Sequence, residues 1–113
     1  MIAVKWTKAV SPHAALIATV IEYLNRIGHF AYKNQTGGYL RHGVWIAYGH
    51  AGSPDIYCFL NRGSMLCVEC KKAKDDQRER QRLFESIITK LGHKYILAYS
   101  FEEFERKYSE VRE

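Results

Sequence analysis

Asp55-Ile-Tyr-Cys-Phe-Leu60, Asn61-Arg-Gly-Ser64 and Met65-Leu-Cys-Val-Glu-Cys-Lys71 form the stretch whose reading decides the fold. Two apolar runs flank a short polar turn containing glycine, the pattern of a β-hairpin. Each strand carries one acid. Asp55 opens the first and Glu69 stands near the end of the second. Residues 1–70 hold three acids, Glu22, Asp55 and Glu69, against six bases. Strand alternation puts Asp55, Tyr57 and Phe59 on one face, and Met65, Cys67, Glu69 and Lys71 on one face of the next strand. If the two acid-bearing faces coincide, Asp55, Glu69 and Lys71 converge. An unpaired buried carboxylate is costly, and a cation partner or a metal ion is the usual remedy. The bland alternative is a pair of salt bridges, to Lys71 and Arg80.

Working outward, Ser11-Pro12 reads as the N-cap and first residue of a helix. Leu16, Ile17, Val20, Ile21, Leu24 and Ile27 repeat at helical spacing, and Gly28 is suited to end the helix. On the helical wheel Glu22 falls opposite this stripe, while His13 falls on it, at the first turn. His29–Lys33 reads as a strand, Gln35–Gly38 as a turn and Val44–Tyr48 as an additional candidate strand. Gly49–Pro54 is a small-residue loop leading to Asp55. Beyond Lys71 a helix is expected from Asp75 or Asp76 to Leu91, with Leu83, Phe84, Ile87, Ile88 and Leu91 as its stripe and Gly92 at its end. Tyr95–Tyr99 is a further strand. Ser100 and Glu103 form a capping box for a last helix containing Phe101, Phe104 and Tyr108. The chain is thus an α/β protein of order α-β-β-β-α-β-α, plus the candidate strand at 44–48.

With 113 residues, 47% of them hydrophobic, the chain reads as one domain, 1–113, able to bury a core. No apolar run approaches the roughly 20 residues of a membrane span. Met1–Ser11 lacks the apolar region of a signal peptide. Three cysteines, an odd number, argue for a reducing compartment, and the expected location is cytoplasmic. Cys67-x-x-Cys70 resembles half a zinc site, but residues three apart in a strand point to opposite faces. Cys58, Cys67 and Cys70 are better read as small buried hydrophobes. The net charge of +5 points to a polyanionic partner, usually nucleic acid. Residues 71–94 carry eight bases and four acids, which places much of that charge around the candidate site. Lys72, Lys74, Arg78, Arg80, Arg82 and Arg41 are the candidate DNA contacts. No organic cofactor is indicated.

A phosphodiester resists hydrolysis because it is anionic and its leaving group is poor, and metal ions relieve both problems. Mg²⁺ takes hard oxygen ligands, typically one or two carboxylates plus waters and substrate phosphate. Asp55 and Glu69 would supply the carboxylates, and the carbonyl of Cys70 a third oxygen. Lys71, two residues from Glu69, could orient the attacking water or stabilise developing charge. Gln77 and Gln81 lie one turn apart on the same edge of the expected helix, and the wheel alone does not choose between them.

The chain resembles the PD-(D/E)xK nuclease superfamily, and within it the VRR-NUC (virus-type replication-repair nuclease) domain. The resemblance rests on Gly52-Ser-Pro-Asp-Ile56, Val68-Glu-Cys-Lys71, Gln81-x-x-Phe84 and Gly92 before a strand. An early helix followed by Tyr32-Lys-Asn34 and Gly37-Gly38 adds to it, so that it covers nearly the whole chain. It implies a restriction-endonuclease-like mixed sheet flanked by helices, with Mg²⁺ or Mn²⁺ at the site. Carried over residue by residue, Asp55 and Glu69 become metal ligands, Lys71 the catalytic lysine and Gln81 the supporting glutamine. It further implies a small stand-alone enzyme of phage or bacterial type, a homodimer acting on branched DNA such as Holliday junctions. There is one departure. Many family members carry a glutamate early in the first helix, where this chain has His13, a further candidate metal ligand.

The leading expectation is a metal-dependent, structure-selective endonuclease. Its rivals are a non-catalytic nucleic-acid-binding module of the same fold and an exonuclease of the same superfamily. The expected dimer face is either Val44–Tyr48 or the aromatic tail helix with Phe101, Phe104 and Tyr108.

Overall fold

The structure is a computed structural model, and it describes residues 11–112. The reading of residues 1–10 as lacking a signal sequence lies outside that range. Helix α1 (Pro12–Arg26) begins where the sequence places it. Pro12 occupies the first turn, and the Ser11 side chain accepts a hydrogen bond from the Ala14 amide at 3.1 Å. It ends at Gly28, whose φ of 104° is open to glycine at little cost. Strands β1 (Phe30–Lys33), β2 (Gly37–Arg41), β3 (Val44–Tyr48), β4 (Ile56–Phe59) and β5 (Met65–Cys70) follow. Helix α2 (Glu79–Lys90), strand β6 (Lys94–Ala98) and helix α3 (Phe101–Val111) complete the chain.

Four strands form a mixed sheet in the order β1-β4-β5-β6. The β1–β4 and β4–β5 pairs are antiparallel, and β5–β6 is parallel, joined by the α2 crossover. The elements of this unit run α-β-β-β-α-β-α, as the sequence order expects. Strands β2 and β3 stand outside it as a separate antiparallel hairpin. Here the structure extends the reading. Gly37 and Gly38, expected in a turn, open β2. The reversal lies at His42-Gly43, whose φ values of 52° and 79° make a tight two-residue loop.

The back face of the sheet carries Ala31, Ile56, Cys58, Leu66, Val68, Cys70, Ile96 and Ala98, all buried. Ile17, Val20 and Leu24 of α1 and Phe104 and Tyr108 of α3 cover them in one core. Tyr23 meets Phe101, Phe104 and Tyr108 edge-on, with centroids 5.5–6.0 Å apart, locking α1 to α3. The tail helix is therefore core. Glu22 faces solvent and pairs with Arg26 at 3.3 Å.

Helix α2 departs from expectation twice. It starts at Glu79 rather than at Asp75 or Asp76. Lys74 takes a left-handed φ of 76°, the Asp75 amide turns back to the Lys72 carbonyl, and the Tyr99 hydroxyl donates to the Asp75 carbonyl. These bonds hold 72–75 in a turn. The cap is supplied by Gln81, whose Oε1 accepts from the Arg78 amide at 2.8 Å. The stripe is also not a core stripe. Leu83, Ile87 and Leu91 are largely exposed, and no residue of α2 is fully buried. The helix lies over the front of the sheet, where Gln81 in its first turn bonds Glu69 and Gln77, just ahead of the helix, bonds Tyr95. Among the described residues no helix is long and apolar enough to cross a membrane.

Candidate metal and catalytic site

The β4–β5 register sets Ile56 opposite Val68 and Tyr57 opposite Cys67, and one step further brings Asp55 level with Glu69. Both acids therefore stand on the front face, at the same end of the sheet. Asp55 lies just before β4, and three bonds fix it there. The Asn34 amide donates to the Asp55 carbonyl at 2.7 Å, and Asn34 Nδ2 donates to Ser53 Oγ at 2.8 Å and to the Pro54 carbonyl at 2.9 Å. Asp55 Oδ2 then accepts from the Cys70 amide at 2.8 Å, tying the two acid-bearing strands together. Gly52 is required in the approach to Asp55. A Cβ there would lie 2.5 Å from the Arg80 carbonyl oxygen, and its φ is 88°.

Glu69 is buried, with 5% of its surface exposed. Its Oε2 accepts from Gln81 Nε2 at 3.0 Å and lies 3.6 Å from Lys71 Nζ. Its Oε1 is buried with no hydrogen-bond partner. Desolvation, followed by the charge of Asp55, pushes the Glu69 carboxyl up to about 7, against the pull of Lys71 and His13. The lysine is nearly as buried as its partner. His13 Nε2 is 2.7 Å from the Cys70 carbonyl oxygen and 3.7 Å from Asp55 Oδ2. A carbonyl oxygen can only accept, so Nε2 carries the proton and donates. In this arrangement His13 anchors the Cys70 carbonyl rather than offering that nitrogen to a metal.

Asp55, Glu69, Lys71, Gln81, the Cys70 carbonyl and His13 are thus brought together. The choice between the glutamines falls to Gln81, because Gln77 Nε2 turns to Glu85 at 3.0 Å and the Tyr95 hydroxyl at 3.3 Å. A cleft of about 620 Å³ opens over the acids, walled by Thr36, Ala51, Gly52, Ser53, Arg78 and Arg80. Lys72 lies outside it, on a neighbouring groove with His13 and Lys71. Lys74 and Arg82 are exposed near the cleft's helix, and Arg41 lies at the tip of the β2–β3 hairpin, away from the acids. Arg80 makes no ion pair with either acid, so the salt-bridge alternative holds only for Lys71 and Glu69. The thiols of Cys58, Cys67 and Cys70 are free and buried, and burial pushes them up to about 12, 11 and 12 respectively. They are inert packing groups.

The donor set suits a hard cation. Among the described residues no group of three or more acid, histidine or cysteine side chains is placed to hold an ion. Two carboxylates and a carbonyl leave positions for water and phosphate, as Mg²⁺ requires. The orphaned Glu69 Oε1 supplies the test of fit, since a buried anionic oxygen without a partner is what a cation would satisfy.

A solved structure described as a "VRR_NUC domain" superimposes on the fold of this chain with a TM-score of 0.69. It covers 92% of this chain and 100% of its own, at 20% sequence identity. The chain has the VRR_NUC fold. No family model matches the sequence, and no curated protein matches it. In the VRR_NUC fold of this chain, sequence reasoning missed Asn34 as the clamp on Ser53 and Pro54. Its signal was the Tyr32-Lys-Asn34 motif, but the residues it holds lie about twenty positions away and only pairing of β1 with β4 brings them close.

The state of Glu69 makes a stability prediction. Its pKa rises from 4.5 to about 7 on folding. The folded protein therefore binds the proton more tightly, and this contribution is full below about pH 4.5 and lost as pH rises through 7. In the presence of EDTA, Glu69→Gln removes that loss. The variant is expected to lose less stability than the parent between pH 5 and pH 8, by up to about 3 kcal/mol. Urea unfolding of both proteins at the two pH values checks it.

Proposed function

We propose that the chain is one nuclease domain, 1–113, a metal-dependent endodeoxyribonuclease that acts as a homodimer on branched DNA of the Holliday-junction type. The observation that carries this reading is the meeting of Asp55 and Glu69 on adjacent strands, with Lys71 Nζ 3.6 Å from Glu69 and a buried Glu69 oxygen left without a partner. Asp55, Glu69 and the Cys70 carbonyl would hold Mg²⁺ or Mn²⁺. When bound, the ion polarises the phosphoryl oxygen and lowers the pKa of a coordinated water.

The chain's own residues divide the remaining work. Gln81 holds Glu69 Oε2 toward the cleft, and the Cys70 amide holds Asp55. His13 keeps the Cys70 carbonyl aligned. The Lys71 ammonium, 3.6 Å from Glu69, orients the attacking water and balances negative charge developing on the phosphate. Arg78 and Arg80 on the cleft wall meet the phosphates flanking the cut, and Lys72, Lys74, Arg82 and Arg41 extend the basic surface along the DNA. With DNA as substrate and three free thiols, the cytoplasm is the compartment this reading expects.

The dimer draws support from the β2–β3 hairpin. Leu40 and Trp45 on one of its faces are 70% and 61% exposed, and Tyr39, Val44, Ile46 and Tyr48 on the other are exposed too. A lone two-stranded hairpin is marginal in water, and apolar groups on both faces call for a cover. A four-way junction has two-fold symmetry and needs two cuts, which suits two copies.

The test is cleavage of an end-labelled four-way junction beside linear duplex, single strand and covalently closed circle, with Mg²⁺, Mn²⁺ or EDTA. Paired cuts in the junction that need metal are expected. Trimming only from free ends would replace this reading with an exonuclease. Binding without cutting in either metal would replace it with a non-catalytic module.

A further inference from the structure

The front face of the sheet is covered by α2 over β6, but its other half is open. There Phe30 and Tyr32 of β1 lie opposite Phe59 and Tyr57 of β4. Phe30, Tyr32 and Phe59 are 60%, 41% and 46% exposed. The Phe59 ring is near parallel to Phe30 and Tyr32, at 15° and 26° with centroids 6.1 and 6.3 Å apart, while Phe30 and Tyr32 are tilted by 40° at 5.7 Å. Tyr57 closes the ladder edge-on to Tyr32, with centroids 6.1 Å apart and the rings at 62°, two residues along the chain from Asp55.

We propose that the Phe30, Tyr32, Tyr57 and Phe59 ladder is a stacking platform for unpaired nucleotides adjoining the phosphate held at Asp55 and Glu69. The inference rests on the nuclease reading of those two acids and adds to it the kind of DNA that lies beside them. Asp55, Tyr57 and Phe59 alternate along one strand, so they share a face at steps of about 6.5–7 Å. A strand of nucleic acid leaving the carboxylates along β4 runs directly over the rings. Neither strand contains an acid, and Arg62 in the turn beyond Phe59 is exposed. Composition separates this surface from the hairpin. The hairpin mixes Leu, Val and Ile with aromatics on two faces, as a protein contact does. The ladder is wholly aromatic, one-sided and continuous with the cleft, as base stacking requires.

The experiment uses Asp55→Asn, which binds without cutting, and DNA carrying 5-iododeoxyuridine at single positions in an unpaired arm or in duplex. Irradiation is expected to join the unpaired positions to Tyr32, Phe59 or Phe30, located by mass spectrometry of the peptides. Changing Tyr32→Leu and Phe59→Leu together keeps apolar bulk and removes two rings. It is expected to weaken binding of the unpaired arm about tenfold, by fluorescence anisotropy, and leave duplex binding unchanged. Cross-links confined to other residues, with parental affinity in the leucine variant, would overturn the platform. So would a leucine variant that sediments at half the parental mass, since the face would then be a contact between copies. Neither readout needs cleavage. Cross-links at the ladder, together with a parent protein that cuts no substrate in either metal, would reject the nuclease reading and keep the platform, whereas cutting by the parent without such cross-links in the variant would reject the platform alone.

Discussion

Asp55→Asn and Lys71→Ala are each expected to slow junction cleavage at least about a thousandfold in a folded protein. Asparagine is chosen at 55 for a structural reason. Asp55 Oδ2 accepts the Cys70 amide at 2.8 Å, and alanine would leave that N–H without a partner beside the core, at a cost of about 1–3 kcal/mol. Asparagine keeps a carbonyl oxygen for that bond and removes the anion. Lys71→Ala acts twice. It removes the ammonium from the reacting phosphate, and it removes the nearest cation that pulls the raised pKa of Glu69 back down. Cleavage that survives in Lys71→Ala should therefore move to higher pH than in the parent. Single-turnover rates from pH 6 to 9, with circular dichroism to verify the fold, provide the check. Parental rates in either variant would remove the assigned site.

Phe104→Ala is expected to cost about 3–5 kcal/mol of stability, at the upper end of what truncating one core side chain does. Phe104 is fully buried between α1 and α3, and its ring stands 5.9–6.0 Å from those of Tyr23, Phe101 and Tyr108. Alanine leaves a void among side chains held by helices on two sides and the sheet on the third, which cannot close without moving α3. The loss should appear as a lower urea midpoint with an unchanged slope. Phe104 packs against the back face of the sheet and the acids stand on its front, so cleavage per folded molecule should be kept. A loss under about 1 kcal/mol would mean that α3 does not seal the core as described.

Much of the fold was legible because its signals are local. Ser11-Pro12 and Ser100 with Glu103 carry their own capping chemistry, and the stripe of α1 matches a helix resting on one surface. Alternation along Asp55–Leu60 and Met65–Lys71 sorts acids from core residues whatever the strands pair with. The less legible parts are those where distant residues overrule local preference. Asp75 and Asp76 are good caps, yet a turn pinned by Tyr99 holds that stretch and Gln81 begins α2 instead. The stripe of Leu83, Ile87 and Leu91 reads as core, but the sheet beneath α2 presents Glu69 and Tyr95, which bond to Gln81 in the helix and to Gln77 just ahead of it.

The sequence by itself determined the order of the main elements and the presence of two acids and a lysine on alternating strand positions, because side-chain period depends only on the local backbone. Tertiary structure alone decided that Asp55 and Glu69 stand level, that Gln81 rather than Gln77 reaches Glu69, and that His13 donates to the Cys70 carbonyl. It also decided which aromatics stay exposed. Register, helix placement and burial arise from contacts between residues far apart in the chain, and no local pattern encodes them.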